Sequence, residues 1–123
     1  MRILHIGDIV GKPGRRIVRR AVPLIRESEQ LDFVVANAEN AAGGAGLTPE
    51  NFKELMRCKI DAITLGDHIY KRKAISEILQ SDSRIVKPAN FPPNAPGRDW
   101  TIVKSESGAV SYTHLTLPTI CSV

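Results

Sequence analysis

Three short apolar runs in this 123-residue chain hand over, each at its C-terminal end, to side chains that carry oxygen or nitrogen. Ile3-Leu4-His5-Ile6 runs into Gly7-Asp8-Ile9-Val10-Gly11. Phe33-Val34-Val35-Ala36-Asn37-Ala38 ends in Glu39-Asn40, and Ala62-Ile63-Thr64-Leu65-Gly66 ends in Asp67-His68. The runs are continuous rather than alternating, the pattern of strands covered on both faces. The segments between them carry apolar residues at the 3.6-residue helical period. Strand, helix, strand, helix, strand, helix, strand predicts an α/β fold with a parallel sheet and right-handed crossovers. In such a sheet every strand points the same way, so Asp8, Glu39 and Asp67 leave it at one edge. Ligands of open α/β sheets bind outside that carboxyl edge. Glycines beside Asp8 let the backbone turn sharply and let a ligand approach closely.

Strands are predicted at 2–7, 32–38 and 61–66, with a short fourth at Ile85-Val86 and a further one at 100–103. The first helix is expected to begin near Gly14. Its Ile17, Val18, Ala21, Leu24 and Ile25 share one face, and Arg15, Arg16, Arg19, Arg20 and Arg26 share the other. Pro23 is expected to kink or shorten it. Thr48-Pro49-Glu50 is an N-cap, a first-position proline and a first-turn acid. The helix it opens runs to about Cys58, with Phe52, Leu55 and Met56 inward. Ala74, Ile75, Ile78 and Leu79 mark a third helix, and residues 91–97, rich in proline, a stiff loop. His5 reads as a packed histidine.

Composition narrows the function classes. Hydrophobic and charged fractions of 42% and 24% are ordinary for a soluble globular protein. Aromatic residues make up only 5% of the chain, which argues against stacking on nucleic-acid bases. A net charge of +4 is modest and suits attraction of phosphate-bearing ligands or simply a solvated face. No apolar run approaches the roughly 18 residues of a membrane span. The N-terminus has no signal-peptide layout, and Cys58 and Cys121 have no metal or disulfide spacing, so a reducing cytoplasm is expected.

Two familiar phosphate motifs fail. Residues 7–12 have one residue too few between glycines for a P-loop, and Pro13 stands where a magnesium-holding Ser or Thr belongs. The loop at 43–46 has the wrong spacing for a dinucleotide fingerprint. Each strand-end group also has a plain reading: Asp8 as a turn residue, Glu39 and Asn40 as loop polars or caps, Asp67-His68 as a capping pair. Their recurrence at equivalent strand ends favours a site. Oxygen ligands joined by Asn and His suit Mg, Mn or Fe. Two metals need a bridging carboxylate, for which Glu39 is the candidate, and would activate water against a phosphoryl group. His68 is placed to protonate a leaving oxygen. Lys12, Arg15 and Arg16, near the start of the first helix, either face solvent or meet an anionic substrate.

Residues 2–14, 32–44, 62–68 and Lys87-Pro88-Ala89-Asn90-Phe91-Pro92, in this order, resemble the YmdB-like metallophosphoesterases of the calcineurin-like phosphoesterase superfamily. The resemblance runs from residue 1 to about 109. It implies two sheets in a sandwich flanked by helices, a dinuclear centre of divalent metal ions (Fe, Mn or Mg), and phosphodiesterase activity on 2',3'-cyclic nucleotides. Carried over by motif, Asp8 binds one metal, Glu39 bridges both, Asn40 and Asp67 bind the second, and His68 is the catalytic proton donor. Where the family has Gly-Asn-His, this chain has Gly66-Asp67-His68. The added negative charge is expected to tighten metal binding and blunt electrophilicity.

Family members are considerably longer, so residues 1–109 read as the N-terminal part of an incomplete metallophosphoesterase domain. Residues 110–123 read as a non-native tail. Val110-Ser111-Tyr112-Thr113-His114-Leu115 resembles the translation of a transposon-end adapter from a sequencing library, and the tail carries no Asp, Glu, Lys or Arg; the alternative is a genuine short C-terminal strand. On this reading His114 and Cys121 have no role. The parent is then a cytoplasmic hydrolase of small phosphoesters, homo-oligomeric at full length, with no membrane and no stable nucleic-acid partner, and the chain alone is inactive. The rival reading is a non-enzymatic nucleotide- or phosphate-binding regulator on the same scaffold.

Overall fold

The structure, a computed structural model, describes residues 1–104 and the backbone of a strand at 110–114. Four strands form one parallel sheet in chain order: β1 (Ile3–Asp8), β2 (Phe33–Asn37), β3 (Ala62–Thr64) and β4 (Ile85–Val86). Between them run α1 (Gly11–Ser28), α2 (Pro49–Arg57) and α3 (Ile75–Ser81). Strand order equal to chain order, with right-handed connections, puts all three helices over the same face of the sheet. The core reflects this. Val18 and Val22 of α1, Phe52 and Leu55 of α2 and Leu79 of α3 pack in one cluster with Val34, Ala36, Ile63 and Ile85.

Register fixes which side chains share that face. Leu4 pairs with Val34 and Ile6 with Ala36, then Ala36 with Ile63 and Ile63 with Ile85. Their neighbours along each strand, among them His5, Val35 and Thr64, point to the other face. The expected packing of His5 does not hold: its side chain is exposed, because β1 is the sheet's edge strand.

Local chemistry explains the helix ends. Thr48 accepts a hydrogen bond from the Asn51 amide at 3.1 Å, and Pro49 and Glu50 occupy the first turn as expected. α1 departs from expectation three times. Of the expected apolar face Val18 is buried, but Ile17, Leu24 and Ile25 are exposed and Val22 packs inward instead. The helix starts at Gly11 rather than near Gly14, because Gly11 adopts a φ of +60° that turns the chain directly off the strand. It also runs through Pro23 to Ser28. The carbonyl that Pro23 leaves without a partner belongs to Arg19, an exposed residue, where water can satisfy it.

A second, antiparallel sheet pairs β5 (Trp100–Lys104) with β6 (Val110–His114). It joins the first through a bridge between Val86 and Arg98 and a hydrogen bond from the Thr101 hydroxyl to the Ser83 carbonyl, 2.6 Å. β6 coincides with the start of the stretch read above as a tail; residues 115–123, with Cys121, lie outside the described residues. Among the described residues no helix is long and apolar enough to cross a membrane.

Candidate metal centre

The carboxyl edge of the parallel sheet is stitched together by main-chain bonds before any side chain is considered. Past β1, the Ile9 amide donates to the Asn37 carbonyl at 3.1 Å and the Gly11 amide to the Asn40 carbonyl at 3.0 Å. Past β2, the Ala38 amide donates to the Thr64 carbonyl of β3 at 3.0 Å. The three strand exits are therefore held side by side. β1 also shifts register between Ile6 and Asp8, with Gly7 as the extra residue. Such a bulge re-aims the side chain that follows it.

On this frame the five predicted side chains form one connected group. Asn40 Nδ2 donates to both carboxylate oxygens of Asp8, each at 3.0 Å. Asn40 Oδ1 lies 2.5 Å from His68 Nδ1. The His68 amide donates to Glu39 Oε2 at 3.2 Å, and His68 Nδ1 is 3.9 Å from the same oxygen. Glu39, Asp67 and His68 each offer a ligand atom, and the three atoms lie within 4.8 Å of one another. Asp67 is exposed, while Glu39 and His68 are half-buried.

The electrostatics of the group suit a cation. Burial raises the Glu39 carboxyl above its usual range, and the neighbouring Asp67, through a side-chain hydrogen bond and its charge, raises it further. The amide of His68 opposes this by hydrogen-bonding the carboxylate. Among the described residues, neither Glu39 nor Asp67 forms an ion pair with lysine or arginine. Two close carboxylates, one pushed toward protonation, with an imidazole and an amide oxygen beside them, fit a hard divalent ion.

Three features around the group escaped the sequence reading. A Cβ on Gly66 would overlap the Glu39 carboxylate, so only glycine leaves room for it. The signal available was a glycine placed immediately before the strand-end acid. Arg15, a candidate for substrate, is otherwise engaged: Nε donates to Glu54 Oε1 at 3.1 Å and Nη1 to the Ala41 carbonyl at 2.5 Å. Arg72 donates to the carbonyls of Ala42 and Ala45 at 3.1 and 3.2 Å. Two arginines thus hold the loop that follows Glu39-Asn40, and nothing in the local sequence assigned them to it.

Known proteins resemble this chain over most of its length. Residues 4–117 match the family described as YmdB-like protein, past residue 109, the expected end of the resemblance. Over 115 residues the chain is 40% identical to the 2',3'-cyclic-nucleotide 2'-phosphodiesterase of Bacillus subtilis, covering 94% of this chain and 44% of that one. The crystal structure of a hypothetical protein from Thermus thermophilus superimposes with a TM-score of 0.80 at 37% identity, over 86% of this chain and 41% of that one. A phosphatase crystal structure from Mycoplasma pneumoniae gives a TM-score of 0.75 at 20% identity, over 98% of this chain and 48% of that one, a likeness of fold. The chain spans less than half the length of each of these proteins.

Proposed function

The chain belongs to the YmdB-like protein family, and from that premise we propose that its strand-end cluster is the cation-binding part of a metal-dependent phosphodiesterase. The substrate class is small phosphoesters, with 2',3'-cyclic nucleotides as the foremost members. The observation that carries the reading is the convergence of Glu39, Asp67 and His68 within 4.8 Å at the ends of two strands, with Asn40 linking them to Asp8 at the end of a third.

In this reading Asp8 and Glu39 would hold one divalent ion, and Glu39, Asn40 and Asp67 would hold a second. Fe, Mn and Mg all accept such ligands. Bound ions would supply Lewis-acid polarisation of a phosphoryl oxygen and a more acidic water. The chain's own residues supply placement. Asn40 Oδ1 accepts from His68 Nδ1, which fixes the ring orientation and leaves Nε2 to face the substrate. A protonated His68 then gives up its Nε2 proton to the leaving oxygen. The Asn40 amide spans Asp8 and His68, so one residue couples the β1 end of the site to the proton donor.

The complete protein is proposed to work in the cytoplasm as a homo-oligomer. The 123-residue chain, which spans 44% of the phosphodiesterase relative, is expected to hydrolyse little or nothing by itself. The test is metal analysis and hydrolysis of 2',3'-cyclic AMP by a full-length family protein carrying these motifs, with Mn or Fe added. Two metal equivalents per chain, and a loss of at least about 100-fold in kcat for Glu39→Gln, are expected. Nucleotide binding without any bound metal would instead favour a regulator that binds phosphate and does no chemistry. Activity retained in Glu39→Gln would overturn the bridging role.

A further inference from the structure

The stretch Lys87-Pro88-Ala89-Asn90-Phe91-Pro92 helps carry the family resemblance, and it lies outside the five side chains predicted for the site. Its first member is unusual. Lys87 is only 3% exposed. Its Nζ donates to the carbonyls of Pro92 and Ala95, each at 2.9 Å, and lies 3.5 Å from that of Pro93. Three donors meet three acceptors, which is how a lysine is kept out of water without a carboxylate partner. The result is an arch from Pro92 to Ala95, folded around one nitrogen. Its base is fixed to the second sheet's approach, where the Lys87 amide donates to the Arg98 carbonyl at 2.8 Å.

Tyr70 meets the two residues that flank the arch, Phe91 and Pro96. Tyr70 Oη donates to the Pro96 carbonyl at 2.5 Å. The Tyr70 ring also meets that of Phe91, centroids 5.8 Å apart and tilted by 59°. A phenol keeps its proton at neutral pH, so the Tyr70 hydroxyl is a donor there. Tyr70 in turn belongs to the tight turn that begins at Asp67. The Ile69 amide donates to the Gly66 carbonyl and the Lys71 amide to that of His68, both at 3.1 Å. Ile69 is fully buried beneath this turn. A continuous chain of contacts therefore runs from Lys87, through the arch and Tyr70, to the turn that presents Asp67 and His68.

We propose that Tyr70 is a positioning residue for Asp67 and His68, with the Lys87-centred arch as its anchor. The proposal rests on the reading of Asp67 and His68 as functional groups, and it deepens that reading. Ile69 anchors this turn from below; tying its far side to a caged loop fixes the direction in which it presents Asp67 and His68.

The test uses this chain, metal-free, and two variants: Tyr70→Phe, which removes one hydroxyl, and Lys87→Met, which keeps the stem and removes the donors. Backbone amide exchange is followed by NMR. Tyr70→Phe is expected to speed exchange at Ile69 and Lys71 by about tenfold or more, with Val34 and Ala36 of β2 held within about twofold. Lys87→Met is expected to do the same and also to free the Ala95 amide. Exchange at Ile69 and Lys71 within about twofold of the parent, or equal acceleration throughout β2, overturns the proposal. A Mn2+ titration of each chain supplies the second readout, with affinity expected to fall about fivefold or more in Tyr70→Phe. A loosened turn with unchanged Mn2+ affinity overturns it as well. If the parent chain takes up no Mn2+, the exchange pattern alone decides the positioning role, and the metal reading is decided by the full-length protein.

Discussion

Gly66 carries more of the site than its size suggests. It lies between β3 and Asp67, and the space a Cβ would need is filled by the Glu39 carboxylate. Backbone conformation is not the reason, since Gly66 is not among the residues with positive φ. The requirement is room for a side chain from the neighbouring strand. Gly66→Ala is therefore expected to push Glu39 out of the group it forms with Asp67 and His68, lowering Mn2+ affinity by about tenfold or more. Gly7→Ala is the control, because a Cβ there meets nothing within 4 Å. Calorimetric Mn2+ titration of the two variants checks this, and equal affinities would remove the steric argument. Asp67 belongs to the same scale. Its charge raises the Glu39 carboxyl, a penalty that an asparagine at that position would not impose to the same degree.

The elements hold that residue-scale geometry by their ends. α3 closes onto β4 through Asp82, whose carboxylate accepts from the Arg84 side chain at 2.7 and 3.0 Å and from its amide at 2.9 Å. These bonds hold the Asp82 carboxyl below its ordinary value of 3.8. A depressed carboxyl stabilises the fold above its unfolded pKa, and the contribution disappears as pH falls through the folded one. The Arg84 side chain is 50% exposed, so solvent screens the pair and its net worth is about 1 kcal/mol or less. Asp82→Asn is thus expected to lower urea stability at pH 7 by up to about that amount. The gap should close as pH drops from about 4 through the folded value, where the parent carboxyl is protonated too. A gap that persists at pH 2 would assign the effect to packing instead. α1 makes the opposite point about element-scale rules. Pro23 is tolerated inside it because the bond it deletes lies on the helix's wet side.

For the whole molecule, the strand order puts β1 at an edge, where Ile3 is half-exposed, and α1 leaves Ile17 and Leu24 65% and 69% exposed. Unpaired strand edges next to apolar side chains invite association. The chain is expected to elute above its 13.5 kDa monomer mass in light-scattering chromatography, and Ile17→Glu with Leu24→Glu to shift it back towards monomer. A monomeric parent chain at high concentration would show that this surface does not drive association. Much of the architecture was legible beforehand. Strand identity, the Thr48 cap and the shared edge of Asp8, Glu39 and Asp67 follow from apolar runs, local turn chemistry and the fixed direction of parallel strands. These properties depend on neighbours along the chain or on topology alone. Tertiary structure decided the rest. It exposed His5 at a sheet edge, gave Arg15 to Glu54 and the Ala41 carbonyl, reserved the space at Gly66 for Glu39, and folded the 92–95 arch around Lys87. Each of these pairs residues distant in sequence or folds a loop around a single side-chain nitrogen. A one-dimensional pattern holds hydrophobicity and spacing, whereas free volume and hydrogen-bond partners exist only once the segments have been packed together.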